Sequence, residues 1–250
     1  MDNVLIRIFD NLTSYISEYQ VLSETEIRQA IKSEIEKLDK ESKKRLGEQL
    51  EGDPVEAILE SLVSSPMSVF SPSLVKRDYL EETFYTPHVH RSFMDEMEQA
   101  FKRLINKRAS TILPRLEMVI SGFLGKAGYT SFTTSNHDEP VDSRELTATK
   151  GDSSLRLLLL PTIAFAHQCR DRADIIVVPT ENTPALFVRF YREQNLEGID
   201  THDIKMWVVD SDKATVSPFL GDCADKEITR NFDNPELKEK MGQYFRSMKL

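Results

Sequence analysis

Two unbroken apolar runs, Leu157-Leu158-Leu159-Leu160 and Ile175-Ile176-Val177-Val178, constrain the fold of this chain most. Both are of strand length and neither has a polar position to turn toward water. Such runs suit strands buried on both faces, as when helices cover a mixed sheet. The rest of the chain divides around them at Gly128, where the apolar period changes. Before it, Phe93, Met97, Phe101, Leu104 and Ile105 form one stripe of a long helix that starts near Ser92. The stripe restarts near Pro114 as Leu116, Val119, Ile120, Phe123 and Leu124, and Gly125 and Gly128 end it. After it, Tyr129 to Thr134, Ala185 to Tyr191 and Lys205 to Val209 read as further strands. Ser211-Asp212-Lys213 turns a hairpin into Ala214-Thr215-Val216, and Pro235 to Tyr244 is a closing helix capped by Asn234.

The beginning of the chain is helical. Val4, Leu5, Ile8, Phe9, Leu12 and Ile16 recur at three-to-four spacing, and Ile27, Ile31, Ile35 and Leu38 repeat the pattern. Ser23 followed by Glu26 has the form of a capping box and places a helix start between the two series. Leu46, Leu50, Val55, Ile58, Leu59 and Leu62 supply a third face, broken near Gly52-Asp53-Pro54. Ser64-Ser65-Pro66 to Ser71-Pro72-Ser73 is the best boundary, since its prolines neither continue a helix nor pair easily in a sheet. The expected organisation is a helical region over 1–64, a linker and crossing loop over 65–90, and a domain over 91–250. The fold class is α/β, a mixed central sheet flanked by helices with an α-helical N-terminal region.

Charge narrows the partners. The formal net charge of −9 argues against indiscriminate coating of nucleic acid. Yet 65–128 carries 9 basic against 7 acidic side chains, whereas 1–64 carries 8 against 14. Within 101–126 the cations Lys102, Arg103, Lys107, Arg108, Arg115 and Lys126 face only one acid, Glu117. Phosphate contacts need only cations along one face, so Lys102, Lys107, Arg108 and Arg115 are candidate nucleic-acid ligands. An amphipathic helix also places its charges opposite an apolar stripe with no partner at all. No apolar run approaches the ~20 residues needed to cross a bilayer, and the start of the chain lacks a signal-peptide pattern, so no membrane is expected and the cytoplasm is the expected compartment. Cys169 and Cys223 are too few for a disulfide scaffold.

The segment from Glu117 to Glu193 carries the most chemistry. A helix with Glu117 ends at Gly128-Tyr129, a strand follows, Asp174 opens an apolar strand, and Val188-Arg189-Phe190-Tyr191-Arg192-Glu193 reads as the next. This order resembles, in outline, the core of the restriction-endonuclease-like superfamily, known for its PD-(D/E)XK motif. In that family the acids hold one or two Mg²⁺ ions and the Lys positions the attacking water. Hard cations on carboxylate oxygens neutralise the phosphodiester and lower the pKa of that water. The resemblance implies a site of Glu117, Asp174 and Glu193, with Mg²⁺ on Glu117 and Asp174. The acid-x-Lys element is missing where Val188-Arg189-Phe190-Tyr191 stands. Arg189 and Arg192 are then expected to contact phosphate or a protein acid.

Other motifs point elsewhere. His88-Val89-His90 lacks further zinc ligands at identifiable spacing and reads as a loop. His167-Gln168-Cys169 lacks the Glu and Cys-x-x-Cys of a nucleobase deaminase. There is no nucleophile elbow or Walker loop. Asp210-Ser211-Asp212 reads as a turn. The leading expectation is a nucleic-acid-associated protein, taking DNA or RNA, with a divergent or inactive nuclease-like core. The alternative is a non-enzymatic interaction or regulatory module that meets a protein partner or a second copy through 1–64.

Overall fold

The computed structural model describes residues 3–64, 74–87, 92–181, 184–193 and 204–247. The chain forms two compact units, Met1–Leu104 and Ile105–Leu250. The first holds α1 (Asn3–Tyr19), α2 (Glu24–Glu36), α3 (Lys40–Gln49) and α4 (Pro54–Ser64). It also holds a small antiparallel sheet of β1 (Leu22–Ser23), β2 (Leu74–Tyr79) and β3 (Glu82–Pro87), in the order β1-β3-β2. The capping box is present: the Glu26 backbone N–H donates to Ser23 Oγ at 3.3 Å, and the Ser23 backbone N–H donates to the Glu26 carboxylate at 2.8 Å. The apolar stripes converge as Ile8, Leu12, Ile16, Ile27, Ile31 and Ile58 in one core.

Two expectations change here. Residues 74–87, inside the expected linker, form the β2–β3 hairpin. Its turn places Leu80 and Glu81 at φ of 52° and 64°. A turn of this kind normally advertises itself through Asn-Gly or Asp-Gly, and Leu-Glu carries no such signal. The division between units falls within α5 (Met94–Lys126) and not near residue 91. The first turns of α5 belong with the hairpin, where Phe101 meets Tyr79 edge-on at 6.1 Å. The serine/proline segment 65–73 and His88-Val89-His90 lie outside the described residues.

The second unit continues α5 into β4 (Ser131–His137), β5 (Ser143–Lys150) and β6 (Ser153–Leu159). A 3₁₀ turn (Ile163–Gln168), β7 (Ile175–Pro179), α6 (Ala185–Glu193), β8 (Met206–Asp210), β9 (Thr215–Leu220), α7 (Lys226–Asn231) and α8 (Leu237–Ser247) follow. The sheet runs β4-β5-β6-β7-β8-β9. Its first three strands are antiparallel, β6-β7-β8 are parallel, and β8-β9 close as an antiparallel hairpin. The fold is α/β with a mixed sheet. Leu116, Ile120 and Phe123 of α5 pack on Leu157, Leu159, Ile175 and Val177. Trp207, 2% exposed, is held between Phe123 and Phe232 at 5.5 and 5.4 Å. On the opposite face α6 sets Phe187 edge-on to Phe219 at 5.2 Å.

Pro114 does not interrupt α5. Gly128 does end it, at φ 90°, where the Tyr129 N–H reaches back to the Leu124 carbonyl. The expected strand over Ala185–Tyr191 is instead the helix α6. Leu186, Phe187, Phe190 and Tyr191 are all buried, and a strand would have sent Leu186 and Phe187 to opposite faces. Strand β5 was not expected, although Leu146 and Ala148 alternate with polar neighbours along it. The closing helix starts at Leu237, two residues after Pro235. Among the described residues no helix is long and apolar enough to cross a membrane.

Candidate functional site

Helix α5 presents a cationic face. Between Ile105 and Lys126 its exposed positions are Lys107, Arg108, Ser110, Thr111, Pro114, Arg115, Met118, Gly122, Gly125 and Lys126. At 100° per residue Lys107, Arg108, Arg115 and Lys126 fall within an arc of about 100°, and they spread over roughly 28 Å of helix. No acid stands among the exposed positions. Among the described residues neither Arg115 nor Lys126 has an ion-pair partner. Lys102, the remaining predicted cation of the helix, is half-buried and belongs to the first unit.

The one acid on this stretch, Glu117, is turned to the sheet. It takes an ion pair from the Arg144 guanidinium, with both side chains partly buried. Arg144 also donates from Nε to Asn136 Oδ1 at 3.0 Å. A carboxylate with a guanidinium fixed against it is a poor Mg²⁺ ligand, because the metal must displace a charge-assisted hydrogen bond as well as water. Beside Arg144 lies an open cleft of about 480 Å³ between α5 and the β4–β5 turn. Ser110, Asn136, Asp138 and Asp142 line it, and the Asp142 N–H donates to Asn106 Oδ1 at 3.0 Å. His137 and Arg144 line it too, but Arg144 is already paired with Glu117, and the two carboxylates make it a poor place for phosphate. Ser143, 1% exposed, has a hydroxyl with no hydrogen-bond partner among the described residues.

Asp174 stands apart from Glu117. One carboxylate oxygen accepts the Arg156 N–H at 2.9 Å and the other lies 3.9 Å from the Arg156 guanidinium. It therefore clamps the start of β7 to β6. Arg144 pairs with Leu159, three residues further along β6, which is about 10 Å of strand. Leu157 and Leu159 point to the α5 side of the sheet, so Arg156, between them in parity with Leu158, points to the other. Glu117 and Asp174 thus serve different faces and do not form the expected metal pair. Glu193 is on α6, where its carboxylate accepts from Arg189 Nε at 2.5 Å one turn back. That pair is exposed, and Arg192 is exposed beside it. Among the described residues no group of three or more His, Cys, Asp or Glu is placed to hold a metal ion.

A second polar cluster fastens β5 to α7. Asp225 caps α7 by accepting from the Glu227 N–H at 2.8 Å, and it takes Lys150 Nζ at 3.1 Å and the Tyr129 hydroxyl at 3.3 Å. Burial works against the Asp225 carboxylate. The Lys150 and backbone N–H bonds outweigh burial and hold it below the usual range. Burial, and then the Asp225 charge, push the Tyr129 phenol up to about 12. No local pattern in the chain marks this cluster, because residues far apart in sequence meet there only through the sheet.

Residues 164–234 match one family model, described as the C-terminal domain of Domain of unknown function DUF6834. The match takes in β7, α6, β8, β9 and α7 and stops short of the α5 face. No curated protein matches the chain.

Proposed function

We propose that this protein binds the phosphate backbone of nucleic acid along the exposed face of α5 and needs no metal ion to do so. The observation that carries the reading is the composition of that face: Lys107, Arg108, Arg115 and Lys126 in one arc with no exposed carboxylate between Ile105 and Lys126. At physiological salt the Debye length is about 8 Å, so a polyanion against α5 responds to these cations more than to the distant acids behind the net charge of −9. The face lacks aromatic side chains for base stacking, which favours backbone contact over single-strand recognition. Arg189 and Arg192 stand outside this surface, since both lie on α6.

The order of elements behind the nuclease resemblance breaks at α6, a helix where the third strand was expected, and its acids are engaged elsewhere. Glu117 and Asp174 each engage an arginine, Arg144 and Arg156. The alternative, association through 1–64, has less support. The stripes Ile8, Leu12, Ile16, Ile27 and Ile31 are spent inside the core of their own unit.

The test is fluorescence anisotropy with labelled duplex DNA, single-stranded DNA and RNA over a range of salt. Duplex should bind with log K falling by about 3 to 4 per decade of salt, one step for each phosphate neutralised. Absence of salt-sensitive binding overturns the proposal. Mg²⁺ and Mn²⁺ should neither be required for binding nor start cleavage. Metal-dependent cleavage that is abolished by Asp174→Ala overturns the metal-free reading.

A further inference from the structure

The two edges of the six-stranded sheet are built differently. Edge β9 is closed to a further strand. Pro218 has no N–H to offer, the Val216 N–H donates to the Asp233 carboxylate at 2.8 Å, and the Asp233 N–H donates to the Val216 carbonyl at 3.0 Å. These are the ordinary means by which a sheet edge is blunted.

Edge β4 has none of them. Its sequence Ser-Phe-Thr-Thr-Ser-Asn-His contains no Pro, Lys, Arg, Asp or Glu. Six of its seven residues are exposed and only Phe132 is partly covered. It pairs with β5 alone, and among the described residues no group outside β5 hydrogen-bonds to its backbone. Roughly 23 Å of regular strand therefore offers its outward N–H and C=O groups to solvent.

We infer that β4 is a dimer edge, pairing antiparallel with β4 of a second copy so that one sheet runs through both. The strand is complementary to itself. A two-fold axis through Thr134 sets Thr133 against the second copy of Ser135 and Phe132 against that of Asn136. It sets Ser131 against that of His137. Hydroxyl pairs of this kind are favourable across antiparallel strands, and no like charges come opposite one another. Such a contact is isologous and closes at two copies. The strand itself carries no charge with which to choose a foreign peptide, whereas its hydroxyls answer those of a second copy. The inference does not rest on the α5 reading, and its test reads mass and not nucleic-acid affinity.

Sedimentation and light scattering on the full chain test this. The wild-type protein should reach twice its 28.7 kDa mass with rising concentration. Thr134→Lys and Thr134→Asp each place like charges on the axis and should raise the dissociation constant at least about tenfold. An equimolar mixture of the two should dimerise again, because lysine then meets aspartate. Unchanged circular dichroism and melting show that each variant folds. A wild-type protein that stays monomeric, a Thr134→Lys variant that dimerises like wild type, or folded variants that fail to rescue one another overturn the inference.

Discussion

Helices α2 and α3 and the second half of α5 are all amphipathic and rich in cations, yet they handle charge in opposite ways. In α2 and α3 each paired cation has an acid one turn away: Arg28 with Glu24, Lys37 with Glu34, Lys44 with Glu48 and Arg45 with Glu41. Exposed pairs like these add at most a few tenths of a kcal/mol to the helix, and their fields cancel within a few ångströms. Along α5 from Ile105 no exposed cation has an acid one turn away on the helix, and the one carboxylate, Glu117, is used on the buried side. Thr111, Gly122 and Gly125 share that arc with the exposed Met118. Counting charges does not separate the two situations. Their spacing along one helix does: acids at i±3 or i±4 make a solvated surface, and their absence leaves a field that a polyanion can use.

The contrast is broken most directly by reversing charge on both sides of it. Arg115→Glu with Lys126→Glu should weaken duplex binding on the order of 100-fold at low salt and lower the salt slope by about two. Lys37→Glu with Lys44→Glu should change affinity less than about twofold in the same titration. Equal effects from the two pairs would show that net charge alone matters.

Glu26→Gln tests the paired side. Glu26 closes the α2 capping box and receives Arg103 Nε at 2.9 Å, while Arg103 also reaches the Val21 carbonyl and lies 5.1 Å over the Tyr19 ring. Urea unfolding should show a loss of about 1 to 2 kcal/mol, with duplex affinity unchanged in the folded protein. Glu117→Gln tests the cationic side. Releasing Arg144 adds positive charge behind α5, so binding should tighten about two- to threefold while stability falls by about 1 kcal/mol. Unaltered affinity would confine the field to the exposed cations.

The smallest effect lies at Tyr129 and Asp225, where a cation of the second unit is neutralised by its neighbour. Ultraviolet titration should show one phenol with its midpoint near 12, absent from Tyr129→Phe. The folded state holds this proton more tightly than the unfolded state. Its contribution is therefore complete below the ordinary tyrosine value of about 10 and is lost as pH rises from there toward 12. Asp225 runs the other way. Its carboxyl is held low in the folded state, so its contribution is present above the usual aspartate value and is lost as pH falls. Tyr129→Phe should remove the alkaline component and leave the acid one.

Much of the architecture was legible in the chain. Periodicity identified the N-terminal helices, the Ser23–Glu26 cap, the long α5, and the buried strands β6, β7 and β8, because each is decided by a period of two or near 3.6 or by a local hydrogen bond. The cationic stretch of α5 was visible for the same reason. Misreadings arose where local signals were ambiguous. Ala185–Tyr191 is apolar enough for either element. Leu80-Glu81 makes a tight turn without glycine. Alternation in β5 is softened by Arg144 and Lys150, which share the parity of Leu146 and Ala148.

What the amino-acid order by itself determined is the set of elements and the sign of charge each helix turns to water, since both follow from neighbours within a turn or two. Only the tertiary structure decided what the isolated acids do. Glu117 meets Arg144, Asp174 meets Arg156, and Asp225 meets Lys150, each across 18 to 75 positions of chain. Strand register and the side of the sheet on which a residue falls bring such partners together, and a shift of one residue in that register would have sent each to the opposite face. The same pairing decided which strand became a bare edge, because an edge is defined by the neighbour that a strand does not have.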